Sequence, residues 1–403
     1  TATASTDSSS TGVVLVGYGD SSAECTSIAA TTGISGGAGD DTIVNSVTGS
    51  ITLQSTAIAE AGGVQVGLAG AVDGEAGTTA LATATAIDGG LGADTIRNAA
   101  QISVKATTST SADNTTVGIF GSADSDVNTD AVTIAQGIAG GEGGDLIENT
   151  GSLTAVASAA MSLDAYTFDF GGSAAGLGTL SADSRAVGIS GGSGSDTIDS
   201  GGAISVSATS TMTVEGDSDV AFGSAAAGAN TTSVTNAVGI DAGEGDDTVS
   251  SRNTIAVTAL TTMTLDSSSF SFGGTAASGE GAMSASTRAT GISGGQGDDT
   301  ITSEAAITVR PKTVMSALAG SDVAFGSAGA GTSITADTQA AGIDAGAGND
   351  TVVNRGGITV GYHNSNLTDA MTKIDVSGST WSFGGSGSVN AAALATGDSV
   401  GID

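Results

Sequence analysis

Seven aspartates stand in seven nearly identical settings along this chain of 403 residues: GGAGDDTIV (36–44), GGLGADTIR (89–97), GGEGGDLIE (140–148), GGSGSDTID (191–199), AGEGDDTVS (242–250), GGQGDDTIT (294–302) and AGAGNDTVV (345–353). Glycines let the backbone take positive φ and turn carbonyl oxygens inward. One aspartate per cluster adds a charged, hard oxygen donor, and the combination suits Ca²⁺. The same residues also suit a plain tight turn in which the aspartate caps backbone N–H groups. Both readings stay open at this stage.

Other chemistry is sparse. Cys25 is the only thiol and His363 the only imidazole. An intrachain disulfide, a cysteine metal site, a histidine triad and a multi-histidine metal site are therefore excluded within this chain. A lone cysteine is ordinarily a small buried hydrophobe. The carboxylates recur with the period of the sequence instead of forming one odd cluster, which marks them as structural; no catalytic or cofactor-binding residue is identified. The balance of 42 acidic against 9 basic residues gives a formal net charge of −33. It excludes phosphate-neutralising nucleic-acid binding and attraction to anionic membranes, and it invites cations. No apolar run is long enough to span a membrane.

The elements that must position these aspartates follow from a repeat. The isoleucine ahead of each cluster falls at Ile34, Ile87, Ile138, Ile189, Ile240, Ile292 and Ile343, with Ile402 in the terminal GID; successive differences are 53, 51, 51, 51, 52, 51 and 59. The whole chain, 1–403, reads as one repetitive domain, with units starting near 33, 86, 137, 188, 239, 291 and 342 and an eighth beginning at 401. A second landmark is an aromatic followed by glycine, at Tyr18, Phe120, Phe170, Phe222, Phe272, Phe325 and Phe383, with Val66–Gly67 taken as its counterpart in the second unit. SDVAFGSAAAG (218–228) returns two units later as SDVAFGSAGAG (321–331), so units alternate between two types.

Between landmarks the period is two. In AISVSATSTMTVE (203–215), Ile204, Val206, Ala208, Met212 and Val214 share one face and the intervening Ser, Thr and Glu the other. With aromatics at 3% and one proline, the apolar residues are mostly Ala, Val and Ile, which suits thin layers. Stacked half-buried strands of this kind form an all-β, parallel β-solenoid of about 51-residue repeats. One coil of that perimeter is too wide to be round and filled by Ala and Val, so it is expected to be flattened into two long arms. Asp196 to Glu215 reads as one arm, GDSD (216–219) as the turn and Val220 to Ile240 as the return; Pro311 is expected at a bend or bulge.

The cluster resembles the nonapeptide G-G-x-G-x-D-x-U-x of the RTX, or haemolysin-type calcium-binding, repeat family. Five of the seven copies keep every fixed position, and Ala242 and Ala345 replace the first glycine in the others. The resemblance implies Ca²⁺ between loops of adjacent coils, held by Asp41, Asp94, Asp145, Asp196, Asp247, Asp299 and Asp350 and by carbonyls of glycines such as Gly37, Gly192 and Gly295. The family runs its repeats in tandem with two loops per short coil, whereas one loop per unit occurs here, so only one edge has the motif. The implied role is non-enzymatic: a secreted, calcium-stiffened segment of a bacterial surface adhesin, extracellular fibre or biofilm-matrix filament. The uncapped ends read as a segment of a longer chain or as surfaces for end-to-end self-association, with a cell surface or glycan as target. The alternatives are a repeat module beside a secreted polysaccharide- or protein-processing enzyme, and an ice- or glycan-binding solenoid. WSFGG (381–385), Tyr362 and His363 form the least repetitive patch.

Overall fold

The computed structural model describes residues 1–274, 276–361, 371–382 and 386–403. Each unit makes one full turn of a parallel β-solenoid, because strands pair with the strand one unit later: Ala155 with Val206, Val206 with Val257 and Val257 with Val309. A central turn consists of a short strand, Thr197–Ser200, and two long arms, Ile204–Val220 and Gly223–Glu244. Repetition stacks these into three parallel sheets, two long and one short. The long arms have 17 and 22 residues, or about 56 and 73 Å at roughly 3.3 Å per residue. Eight rungs in the second long sheet rise only about 38 Å at roughly 4.8 Å each. The body is a flat slab, wider than it is tall.

Period-two patterning sets which side chains go in. Ile204, Val206, Ala208, Met212 and Val214 are buried together with Ser210, and the odd-numbered residues between them face outward. At the glycine end, three columns of large aliphatics converge from the three sheets. In the central rungs they are Ile189 and Ile240, Ile198 and Val249, and Ile204 and Ile255, all at most 1% exposed. Alanines such as Ala82, Ala157 and Ala208 line the facing arms within the same buried cluster. A second cluster of Met161, Leu163, Met212, Met263 and Met315 fills the far half.

A seam of buried hydroxyls divides the two clusters. The Oγ1 of Thr287 donates to Thr261 at 2.7 Å, Thr261 donates to Thr235 at 2.8 Å and Thr313 donates to Thr287 at 2.8 Å. Ser233 and Ser210 bond at 2.9 Å, and Thr108 and Thr133 at 2.6 Å. Each hydroxyl here satisfies one across the core, which removes the penalty of burying it unpaired.

Four expectations need correction. Asp196 to Glu215 is not one arm: Thr197–Ser200 belongs to the short third sheet, and the long arm begins at Ile204 after a corner at 201–203 that carries Gly201 and Gly202. GDSD does not turn the chain, since Gly216–Asp219 lies inside the strand Ile204–Val220, and the corner falls at Ala221 and Phe222. Parallel pairing on both flanks holds these polar residues extended, Asp217 opposite Tyr166 and Ser268. Pro311 sits within the continuous strand Ile307–Phe325, opposite Ala259. Ile307 donates to the carbonyl of Gly357, and Val309 accepts from Gly361, so alternate residues put the proline nitrogen toward the following rung at Gly361. There the paired strand Ile358–Val360 has just ended and Gly361 has φ 100°. The missing N–H therefore falls where the ladder is interrupted, and no bulge is needed. Finally, Val66 and Gly67 are strand residues opposite Val13 and Val14, while the corner of that rung is at Leu68 and Ala69.

Candidate functional site

All seven predicted aspartates come to one corner of the slab, one per rung. Six of them cap the rung before. Asp41 N–H donates to Asp94 Oδ1, Asp94 to Asp145, Asp145 to Asp196 and Asp196 to Asp247, each at 2.7 Å; Asp247 donates to Asp299 and Asp299 to Asp350 at 2.9 Å. The aspartate carbonyl accepts from the threonine N–H of the next rung, as from Thr197 to Asp145 and Thr248 to Asp196. A charge-assisted bond thus ties every turn to its neighbour. The residue before the aspartate caps in the opposite sense: Asp298 N–H donates to Asp246 Oδ1 at 2.9 Å, and Asn349 N–H to Asp298 Oδ1 at 2.8 Å.

The glycines are required by the same stacking. Gly37, Gly192 and Gly295 have φ of 102°, 116° and 106°. Their carbonyl oxygens point along the stack at the Cα atoms of Gly90, Gly243 and Gly346, where a Cβ would collide with them. Positive φ and close approach both exclude side chains there.

The second carboxylate oxygen is the unexplained atom. Oδ2 of Asp41, Asp94, Asp145, Asp196, Asp247 and Asp299 is buried and has no hydrogen-bond partner, and Asp94, Asp196 and Asp299 are each 1% exposed. The Asp196 carboxyl is raised to about 7 and the Asp247 carboxyl to about 6, chiefly by burial and also by neighbouring aspartates, with the capped backbone N–H opposing the shift. Burial likewise raises Asp145 and Asp299. A buried carboxylate needs a compensating charge or proton. The donors present are of the hard type that calcium takes. Each rung supplies a single uncapped carboxylate oxygen, and among the described residues no group of three or more carboxylate, thiol or imidazole side chains converges on one point. Further ligands would have to be backbone carbonyls.

The opposite corner holds the aromatics. Five phenylalanines form a ladder of edge-to-face pairs: Phe120 to Phe170 at 6.1 Å, Phe170 to Phe222 at 5.9 Å, Phe222 to Phe272 at 5.8 Å and Phe272 to Phe325 at 6.0 Å between centroids. They are exposed, Phe222 by 53%. The ladder is staggered. Asp169 pairs with Gly118 and Gly172 with Gly121, which sets Phe170 opposite Ile119 and Gly171 opposite Phe120. A Cβ on Gly171 would lie 3.4 Å from the Phe120 ring, and one on Gly273 would lie 3.1 Å from the Phe222 ring. Glycine in alternate rungs makes room for the neighbouring ring, and this is the physical content of the two-unit rhythm.

Other features escaped sequence reasoning. An asparagine ladder ends the strands of the short sheet: Asn45 Nδ2 donates to Asn98 at 2.8 Å and Asn98 Nδ2 donates to Asn149 at 2.7 Å. Their spacing of 53 and 51 residues was the available signal. Cys25 is half-buried and its thiol lies 3.1 Å from the Glu60 carbonyl. Of the least repetitive patch, Tyr362, His363 and residues 383–385 lie outside the described residues, while Trp381 is exposed on the first long sheet. No helix among the described residues is long and apolar enough to cross a membrane.

Comparison with protein-family models, curated proteins and solved structures finds no match to this chain.

Proposed function

We propose that this chain is a structural segment of a secreted bacterial surface adhesin, extracellular fibre or biofilm-matrix filament, with no catalytic role of its own. The observation that carries the reading is the parallel, one-unit register of three sheets, in which successive rungs as far as Phe325 repeat the ladder of the last. Such a stack transmits load through its ladders and extends by adding rungs, whether from further chain or from a second copy meeting the strand edges. Labelling intact, unpermeabilised cells of the source organism with antibody against the chain tests it. Label on the exterior or on fibres is expected, and label confined to the cell interior overturns the reading.

Calcium is the proposed stiffening ion of the aspartate column. The support is the row of buried, partnerless Oδ2 atoms in a chain of net charge −33. When bound, the ion would compensate the buried charge; Asp41, Asp94, Asp145, Asp196, Asp247, Asp299 and Asp350 would hold it. Metal analysis and circular dichroism with and without a chelator decide the point. Bound calcium whose removal lowers the melting temperature is expected, whereas a metal-free chain with an unchanged melt assigns the column to capping and protons.

A further inference from the structure

Among the described residues, the aromatic side chains of this protein lie outside its core. Seven of the eight phenylalanines in the sequence, 120, 168, 170, 222, 270, 272 and 325, lie at or beside one corner, and none belongs to the buried clusters. Alanine, valine, isoleucine and methionine fill the interior instead. An exposed apolar strip running across several rungs marks an interaction surface.

Its composition identifies the kind of partner. On the outward face of the first long sheet, next to the phenylalanine corner, register places Phe168, Asp219, Phe270, Asp322 and Trp381 in one column on successive rungs. Aromatic rings and carboxylates alternate, so like groups recur every second rung, about 9.6 Å apart. Phe270 and Trp381 are 41% and 54% exposed. Partial burial and the neighbouring Asp217 raise the Asp219 carboxyl, which sits half-buried between two rings.

We propose that this aromatic–aspartate column binds a neutral, extended polysaccharide of the β-1,4-linked type, lying along the solenoid axis. Ring faces take the C–H faces of sugars, and each intervening aspartate accepts hydrogen bonds from hydroxyls. The two-rung period is close to the two-sugar repeat of an extended β-linked ribbon. Polyanionic glycans and anionic lipid are excluded by the interleaved carboxylates and the charge of −33. A second copy would set these aspartates against like charges, and a neutral bilayer would have to desolvate them. This inference names the target within the adhesin reading.

The test is affinity electrophoresis of the whole chain in gels containing hydroxyethyl cellulose, with dextran and alginate gels as comparisons. Retardation by the β-glucan alone is expected. The triple variant Phe168→Ala, Phe270→Ala, Trp381→Ala should lose at least tenfold in affinity, and the pair Asp219→Asn, Asp322→Asn about threefold. Phe270→Leu keeps the apolar area without a ring face and gives the same readout if the triple variant fails to fold. No retardation by neutral β-glucan, or equal retardation of folded wild type and variants, overturns the proposal. Ring-dependent binding to phosphatidylcholine vesicles, or ring-dependent dimers in ultracentrifugation, without glucan binding also overturns it. Because the gel uses purified chain, its failure with external cell labelling intact sinks only the glycan target. Internal labelling sinks only the location.

Discussion

The two corners of the slab solve the same stacking problem in opposite ways. At the glycine–aspartate corner every rung has the same residue at the same height, because a hydrogen bond from one Asp N–H to the next carboxylate works only if each turn superimposes on its neighbour. At the phenylalanine corner identical placement is impossible, since the rungs are closer together than two rings can stack edge to face. The rings therefore shift by one residue in alternate rungs, over Gly171 and Gly273. Hydrogen-bond ladders enforce sameness, while bulky exposed rings enforce alternation.

That contrast can be broken most severely at a glycine. Gly192→Val puts a β-branched side chain at φ 116° and against the Gly141 carbonyl. It should cost about 3 kcal/mol or more, read as a lower midpoint in thermal or denaturant unfolding. Asp196→Ala comes next, because the Asp145 N–H loses its acceptor inside the stack; about 1–3 kcal/mol is expected. Asp196→Asn keeps an oxygen for that cap and removes the buried charge, so it should match or exceed the wild type at pH 7.5 in calcium-free buffer.

Acidity sharpens the same point. The folded carboxyls of Asp196 and Asp247 lie near 7 and 6, above the unfolded value of about 3.9. Between these limits the folded state holds protons that the unfolded state has lost, so stability falls as pH rises through the window. The metal-free melting temperature should increase as pH is lowered from about 7.5 toward 4.5, and Asp196→Asn should flatten that dependence. A melting temperature that falls over this range would rule out raised carboxyls at Asp196 and Asp247.

Smaller effects separate the hydroxyl seam from the aromatic corner. Thr261→Val preserves shape but leaves Thr287 without an acceptor and Thr235 without a donor, costing about 1–2 kcal/mol by thermal melt. Phe222→Ala removes a half-exposed ring with two edge contacts. It should cost about 1 kcal/mol or less, a stability change much smaller than the one at Gly192.

Much of this was legible beforehand. The Ile period placed every glycine turn, and the alternation in 203–215 assigned inner and outer faces as the burial of Ile204, Val206 and Ala208 shows. The aspartate capping was one of two readings the residues allowed. The phenylalanine stagger was written in spacings of 50, 52, 50 and 53 from Phe120 to Phe325, against a strand register of 51, 51, 51 and 52 from Gly118 to Val323. It passed unnoticed because the aromatics were read as one landmark. GDSD misled because its composition suits a turn, yet ladder bonds on both sides outweigh local preference.

Periodicity, glycine placement and residue size were sufficient in the sequence to determine a stacked parallel solenoid with a small-residue core, because those depend on steric rules acting within one unit and its copy. Only the tertiary structure decided that the far corner falls at Ala221 and Phe222, that Ser210 and Thr261 join a hydroxyl seam, and that Phe168, Asp219, Phe270, Asp322 and Trp381 share a column. These are relations between residues on different arms or rungs, and they come into being only when register is set by the whole stack.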